Sequence, residues 1–131
     1  MSKKIFVALS KDHARVWANG LEPDSRPVVV QEESVSAEYR TILNKFFNGR
    51  NRTTLAPAFK SKLYSLVKDA DEIYFAGAGK GKASAVGNFV THLRKYHPKV
   101  AERVRRIEKL DLENLTEPEI LAAGRKMFLR P

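Results

Sequence analysis

Cysteine is absent from this sequence, which excludes disulfides, thiolate nucleophiles, zinc knuckles and iron–sulfur clusters. Long apolar runs are absent too: none approaches the ~18 residues needed to span a bilayer. The opening Met1-Ser2-Lys3-Lys4 and the short apolar-leaning run after it are too brief for a signal peptide. A cytoplasmic protein with no membrane partner is therefore expected. Glycine and proline are scarce, 7 and 6 of 131 residues, which sets aside fibrous and low-complexity classes. With 43% hydrophobic and 30% charged residues, residues 1–131 make a single globular domain.

Acidic residues are the other shortage. Lys and Arg number 24 against 15 Asp and Glu, a net of +9. The excess is localised. Residues 1–40 carry six bases and six acids, residues 41–110 fifteen bases and five acids, and residues 111–131 three bases and four acids. A basic middle between two near-neutral ends points to one electropositive surface, which attracts phosphate backbones through counterion release. The bland alternative is that the excess only aids solubility.

Ile5–Leu9 is a run of strand formers. The turn-like Ser10–His13 follows, and then the alternating Ala14–Asn19, which stops at Gly20; together they read as a hairpin with a four-residue connection. Pro27–Gln31 is a third strand. Tyr39, Ile42, Leu43 and Phe46 then recur at helical spacing, with Ser36 as a candidate cap. A polar, basic loop, Asn48–Ala56, leads to a helix opened by Pro57, with Phe59, Leu63, Leu66 and Val67 on its apolar face. Glu72–Ala76 is a buried strand running into a glycine-rich turn. The helix after it should bury Val86, Phe89, Val90, Leu93 and Tyr96, and it stops near Pro98. Val104–Leu110 is a further strand, with a helical turn over 99–103 before it. Thr116-Glu-Pro-Glu119 is a capping box opening a last helix packed through Ile120, Leu121, Gly124, Met127 and Phe128. Three strands first, then alternating helix and strand, argue an α/β domain: a mixed sheet of about five strands covered by helices.

The turn Gly77-Ala-Gly-Lys-Gly-Lys82 meets neither nucleotide signature. It is one residue short of a P-loop and places Ala83 where the magnesium-binding hydroxyl belongs. A G-x-G-x-x-G pattern fails at Lys82. What survives is generic: the amides of Gly77, Gly79 and Gly81, with Lys80 and Lys82, can hold one phosphate at a helix N-terminus. Equally, these glycines can simply permit a tight strand-to-helix turn. His13, His92 and His97 have no metal spacing with a carboxylate, so neither metal nor cofactor is expected; His97 suits a helix C-cap. Asp69, Asp71 and Glu72 read as a solvated cluster, since the first strand carries no carboxylate to complete a two-metal site. No nucleophile stands beside an obvious base. A non-enzyme is expected.

The basic residues fall into groups. Arg50, Arg52, Lys60 and Lys62 lie in and after the long loop, and Lys80 and Lys82 open the central helix. Arg94, Lys95, Lys99, Arg103, Arg105 and Arg106 surround its end. Any single base is most simply a solvated side chain; the grouping is the signal.

Three blocks carry a family resemblance: Ile73-Tyr-Phe-Ala-Gly-Ala-Gly-Lys80, Leu93-Arg-Lys-Tyr-His-Pro98, and Ile107-Glu-Lys-Leu-Asp-Leu112 with the Leu115–Phe128 helix. With Asp12-His13-Ala14-Arg15-Val16 at the hairpin, they resemble the small bacterial "translational machinery protein" family. That family is similar to the middle domain of class I release factors and of Pelota-type rescue factors. The resemblance implies an RNase H-like mixed sheet. It does not imply peptidyl-tRNA hydrolysis, because the Gly-Gly-Gln tip of release factors occurs nowhere in this chain. The Asn48–Ala56 loop, with Arg50 and Arg52, matches by position the basic loop of Pelota-like domains.

The leading expectation is thus an RNA- or ribosome-associated protein of translation, binding phosphates through Arg50, Arg52, Lys60, Lys62, Lys80, Lys82, Arg94 and Lys95. The alternative is a module, or an uncharacterised enzyme, that holds a small phosphorylated ligand on the Gly77–Lys82 turn. A third reading is a homodimer built through a sheet edge.

Overall fold

The computed structural model describes residues 3–11, 13–31, 55–78 and 84–129. The elements are β1 (Lys4–Leu9), β2 (His13–Trp17), β3 (Val28–Gln31), α1 (Pro57–Val67), β4 (Glu72–Gly77), α2 (Ala85–Tyr96), α3 (Pro98–Ala101), β5 (Val104–Lys109) and α4 (Glu117–Leu129). The expected helix over Tyr39–Phe46 lies outside the described residues.

Among the described residues the sheet has five strands in the order β3-β2-β1-β4-β5. β1, β2 and β3 run antiparallel, while β1, β4 and β5 run parallel. This is the mixed α/β sheet expected from the element order. The hairpin is tighter than expected: β2 begins at His13 and ends at Trp17. The Ser10 amide donating to the His13 carbonyl at 2.9 Å closes the turn one residue early. At the opposite end of β1, the backbone of Lys3 fixes where β4 starts. Its carbonyl accepts from the Asp71 and Glu72 amides, and its amide donates to Asp71 Oδ2 at 2.7 Å.

Strand alternation splits the core into two layers. Ile5, Val7 and Leu9 of β1 and Ile73 and Phe75 of β4 face one side, where Phe59, Leu63 and Val67 of α1 and Val86, Phe89, Val90 and Leu93 of α2 cover them. Phe6, Ala8, Tyr74 and Ala76 face the other side, where Trp17 and Leu21 join Ile120, Leu121 and Met127 of α4. Each large side chain so buried contributes roughly 1.5–3 kcal/mol. The β1–β4 pair is the most secluded part of the fold, because helices cover both of its faces.

Helix ends follow sequence signals. Ser84 caps α2, its Oγ accepting from the Gly87 amide at 2.9 Å. The capping box of α4 is present, with the Thr116 amide donating to Glu119 Oε1 at 3.0 Å and the Glu119 amide donating back to Thr116 Oγ1 at 3.4 Å. The Thr116 amide, together with the Thr116 hydroxyl donating to the same Oε1 at 2.9 Å, holds the Glu119 carboxyl below its ordinary range. His97 is the C-cap of α2 and also precedes α3, its amide donating to the Leu93 carbonyl. Tyr96 departs from expectation. Spacing places it with Leu93 on the buried face, yet it is 59% exposed, since the last turn of α2 borders a groove instead of the sheet.

Candidate functional site

α1, α2 and α3 carry Lys60, Lys62, Arg94, Lys95 and Lys99, and no Asp or Glu. The nearest acids in sequence, Asp69 and Glu102, follow the C-termini of α1 and α3. α4, on the opposite face of the sheet, balances Glu117 and Glu119 against Arg125 and Lys126. The two helical layers therefore differ in electrostatic character. Arg94 and Lys95 also occupy the last turn of α2, where positive charge complements the helix dipole.

α1 and α2 meet along a groove of about 500 Å3. Lys60 and Tyr64, one helical turn apart, supply its α1 wall; His92 and Tyr96, with the same spacing, supply the α2 wall; His97 closes one end. The junction is held by ring contacts. Tyr64 and His97 stack with centroids 3.8 Å apart, His92 lies 5.0 Å from Tyr96 and 5.8 Å from His97, and Phe89 continues the row beneath His92 at 6.2 Å. Lys95 Nζ sits 5.2 Å from the Tyr96 ring centroid, a cation–π contact. The Leu55 amide donates to Asn88 Oδ1 at 3.3 Å, tying the start of α1 to α2. Burial lowers the His92 pKa, and the neighbouring positive charge of Lys60 and His97 lowers it further. The groove is thus mostly apolar and aromatic, with the Lys60 ammonium on one wall, chemistry suited to a planar ring beside an anion.

Some of the sequence-derived basic group is engaged elsewhere. Arg103 is a structural tie, donating from one terminal nitrogen to the carbonyls of Lys68 and Ala70. Arg105 faces Glu72 at 3.8 Å. Arg106 pairs with Glu108 at 2.7 Å, and both belong to residues registered with the α4-side positions Tyr74 and Ala76. Of the expected contact residues, Lys60 lies in the groove, while Lys62, Arg94 and Lys95 are exposed on the same helical layer. Arg50, Arg52, Lys80 and Lys82 lie outside the described residues.

Gly77 is described, and its role is packing. It is the last residue of β4, buried, and a Cβ there would meet Val86 Cγ2 at 2.7 Å and the Leu9 carbonyl at 2.9 Å. Its glycine permits the first turn of α2 to press onto the β1–β4 edge. Gly79, Lys80, Gly81 and Lys82 fall outside the described residues. The Asp69–Glu72 cluster is partly structural: Asp71 accepts from Lys3, and Glu72 accepts from the Tyr74 hydroxyl at 3.2 Å. Burial, reinforced by the Glu72 charge, raises the Tyr74 pKa. Among the described residues no group of His, Asp and Glu is placed to hold a metal ion, and no helix is long and apolar enough to cross a membrane.

Sequence reading missed the groove. Its signals were present as two (i, i+4) pairs, Lys60/Tyr64 and His92/Tyr96, but periodicity had assigned Tyr96 to the core. Only the packing of α1 against α2 brings Tyr64 to His97.

No family model and no curated protein matches this chain. A crystal structure of Pelota from Archaeoglobus fulgidus is similar over 97% of this chain and 35% of that one, with a TM-score of 0.49 and 10% sequence identity.

Proposed function

We propose that this protein is a non-enzymatic RNA- or ribosome-associated component of translation that holds RNA phosphates on the α1–α2–α3 layer. The observation that carries the reading is the segregation of charge among the described residues: five bases and no acid within α1, α2 and α3, against balanced charge on α4. Such a one-sided cationic surface binds a polyanion by releasing its counterions, without reading bases. The failed nucleotide and catalytic motifs, and the resemblance to translation-factor middle domains, support the same reading. Release activity is not part of it, since the chain has no Gly-Gly-Gln.

Sedimentation of the tagged protein through sucrose gradients, with a nuclease-treated control, tests the proposal. Co-migration with ribosomal particles that fades as salt rises is the expected result. Protein that stays at the top of the gradient at low salt overturns ribosome association. Failure to bind purified RNA as well overturns the whole reading.

A further inference from the structure

We infer that the α1–α2 groove is a seat for one unpaired nucleotide of RNA, its base stacked on Tyr96 and its phosphate held by Lys60 and His92. This rests on the RNA-binding reading above and adds to it a preference for single strands. Four features converge. Tyr96 is the only aromatic residue among the strongly exposed large hydrophobics of the described residues, and it belongs to the layer whose helices carry Lys60, Lys62, Arg94, Lys95 and Lys99. Lys95 Nζ lies 5.2 Å from the centroid of that ring, so a base stacks there by displacing the exposed ammonium, which stays close enough to meet the phosphate; every base offers a π-face.

Lys60 and His92 flank the same groove from facing helices, so an anion between them meets the Lys60 ammonium on one wall and a ring N–H of His92 on the other, the charge-assisted contact being that of Lys60. Lys60 is half-buried, which limits the freedom its ammonium must surrender on binding. The groove, about 500 Å3 and open to solvent along one side, has a volume within the range of small-ligand sites, roughly 300–1,000 Å3. Finally, the groove is braced before any ligand arrives: the Tyr64–His97 stack and the His92 contacts to Phe89 and Tyr96 fix its walls. A duplex keeps its bases stacked on one another and cannot offer one to Tyr96 without unpairing it.

Fluorescence anisotropy with labelled oligouridine and with a blunt RNA duplex of matched length tests this on the full chain. The wild type should bind oligouridine more tightly than duplex. Tyr96→Ala should lose about tenfold for oligouridine and nothing for duplex, while Tyr96→Phe keeps both affinities. Lys60→Ala should weaken oligouridine more than duplex. Equal affinity of the wild type for both probes overturns the inference, as does an unchanged oligouridine affinity in Tyr96→Ala. Free uridine monophosphate competing as well, mole for mole, as the oligomer would also overturn it, by making the ligand a free nucleotide. If the inference fails while Lys95→Glu still weakens both RNAs, the electrostatic reading stands without the groove. Absence of binding to either probe removes both.

Discussion

The Tyr64 ring lies against the His97 imidazole with centroids 3.8 Å apart and planes 17° from parallel. Tyr64 opens the last turn of α1, and His97 is the residue at which α2 stops and α3 begins. The contact therefore fastens one wall of the groove to the hinge of the other. Because His97 ends α2 in a non-helical conformation, at φ −140° and ψ 62°, its ring can turn back toward α1.

A double-mutant cycle measures that fastening. Tyr64→Ala and His97→Ala should each destabilise the fold by about 1–2 kcal/mol, and together by less than their sum, leaving a coupling of roughly 0.5–1.5 kcal/mol. Chemical denaturation followed by far-ultraviolet circular dichroism gives the four values. Strict additivity would mean that the stack contributes nothing beyond the burial of each ring.

Gly77→Ala tests the packing role of the strand-to-helix junction. The added methyl meets the Val86 side chain and the Leu9 carbonyl, so a loss of about 1–3 kcal/mol is expected. Val86→Ala in the same chain should recover part of that loss, since it removes the methyl at 2.7 Å, although the Leu9 backbone remains. A neutral Gly77→Ala would contradict the close approach of α2.

The groove should impose a pH dependence on stability. His92 has a folded pKa below its ordinary value, through burial first and then through Lys60 and His97. Lys60 and Tyr64 face it from α1, Tyr96 from its own helix, and His97 from the junction. As pH falls below the ordinary value of 6.5, the unfolded chain takes up a proton before the folded one does, so stability drops toward and through the folded pKa. His92→Gln should flatten this loss as pH falls below about 6.5 in thermal melts. An identical pH profile in wild type and variant would refute it.

Much of this architecture was legible because its signals are local. The apolar run of strand formers in Ile5–Leu9, Pro57 at the start of α1 and the Thr116–Glu119 capping box each specify an element without reference to distant residues. Tyr96 misled because helical spacing reports which face a residue shares and says nothing of where the covered sheet ends. Gly77 looked like a conformational glycine, yet what it accommodates is Val86, nine residues further on, and Leu9 on a neighbouring strand. Arg103, Arg105 and Arg106 looked like members of the cationic surface, but partners from distant backbone and from β4 or β5 engage them. The groove joins residues of two helices separated by a strand, so no sequence window contains it.

The central claim is that one helical layer, and not net charge, binds RNA. Lys95→Glu on α2 and Lys126→Glu on α4 change the charge of the chain identically, and both side chains are exposed on opposite layers. The decisive measurement is RNA affinity against salt concentration for these two variants beside the wild type. The account predicts that Lys95→Glu weakens binding and reduces the log–log salt slope by about one, whereas Lys126→Glu leaves both near wild type. Equal losses in the two variants would contradict it, because binding would then follow total charge with no regard to face.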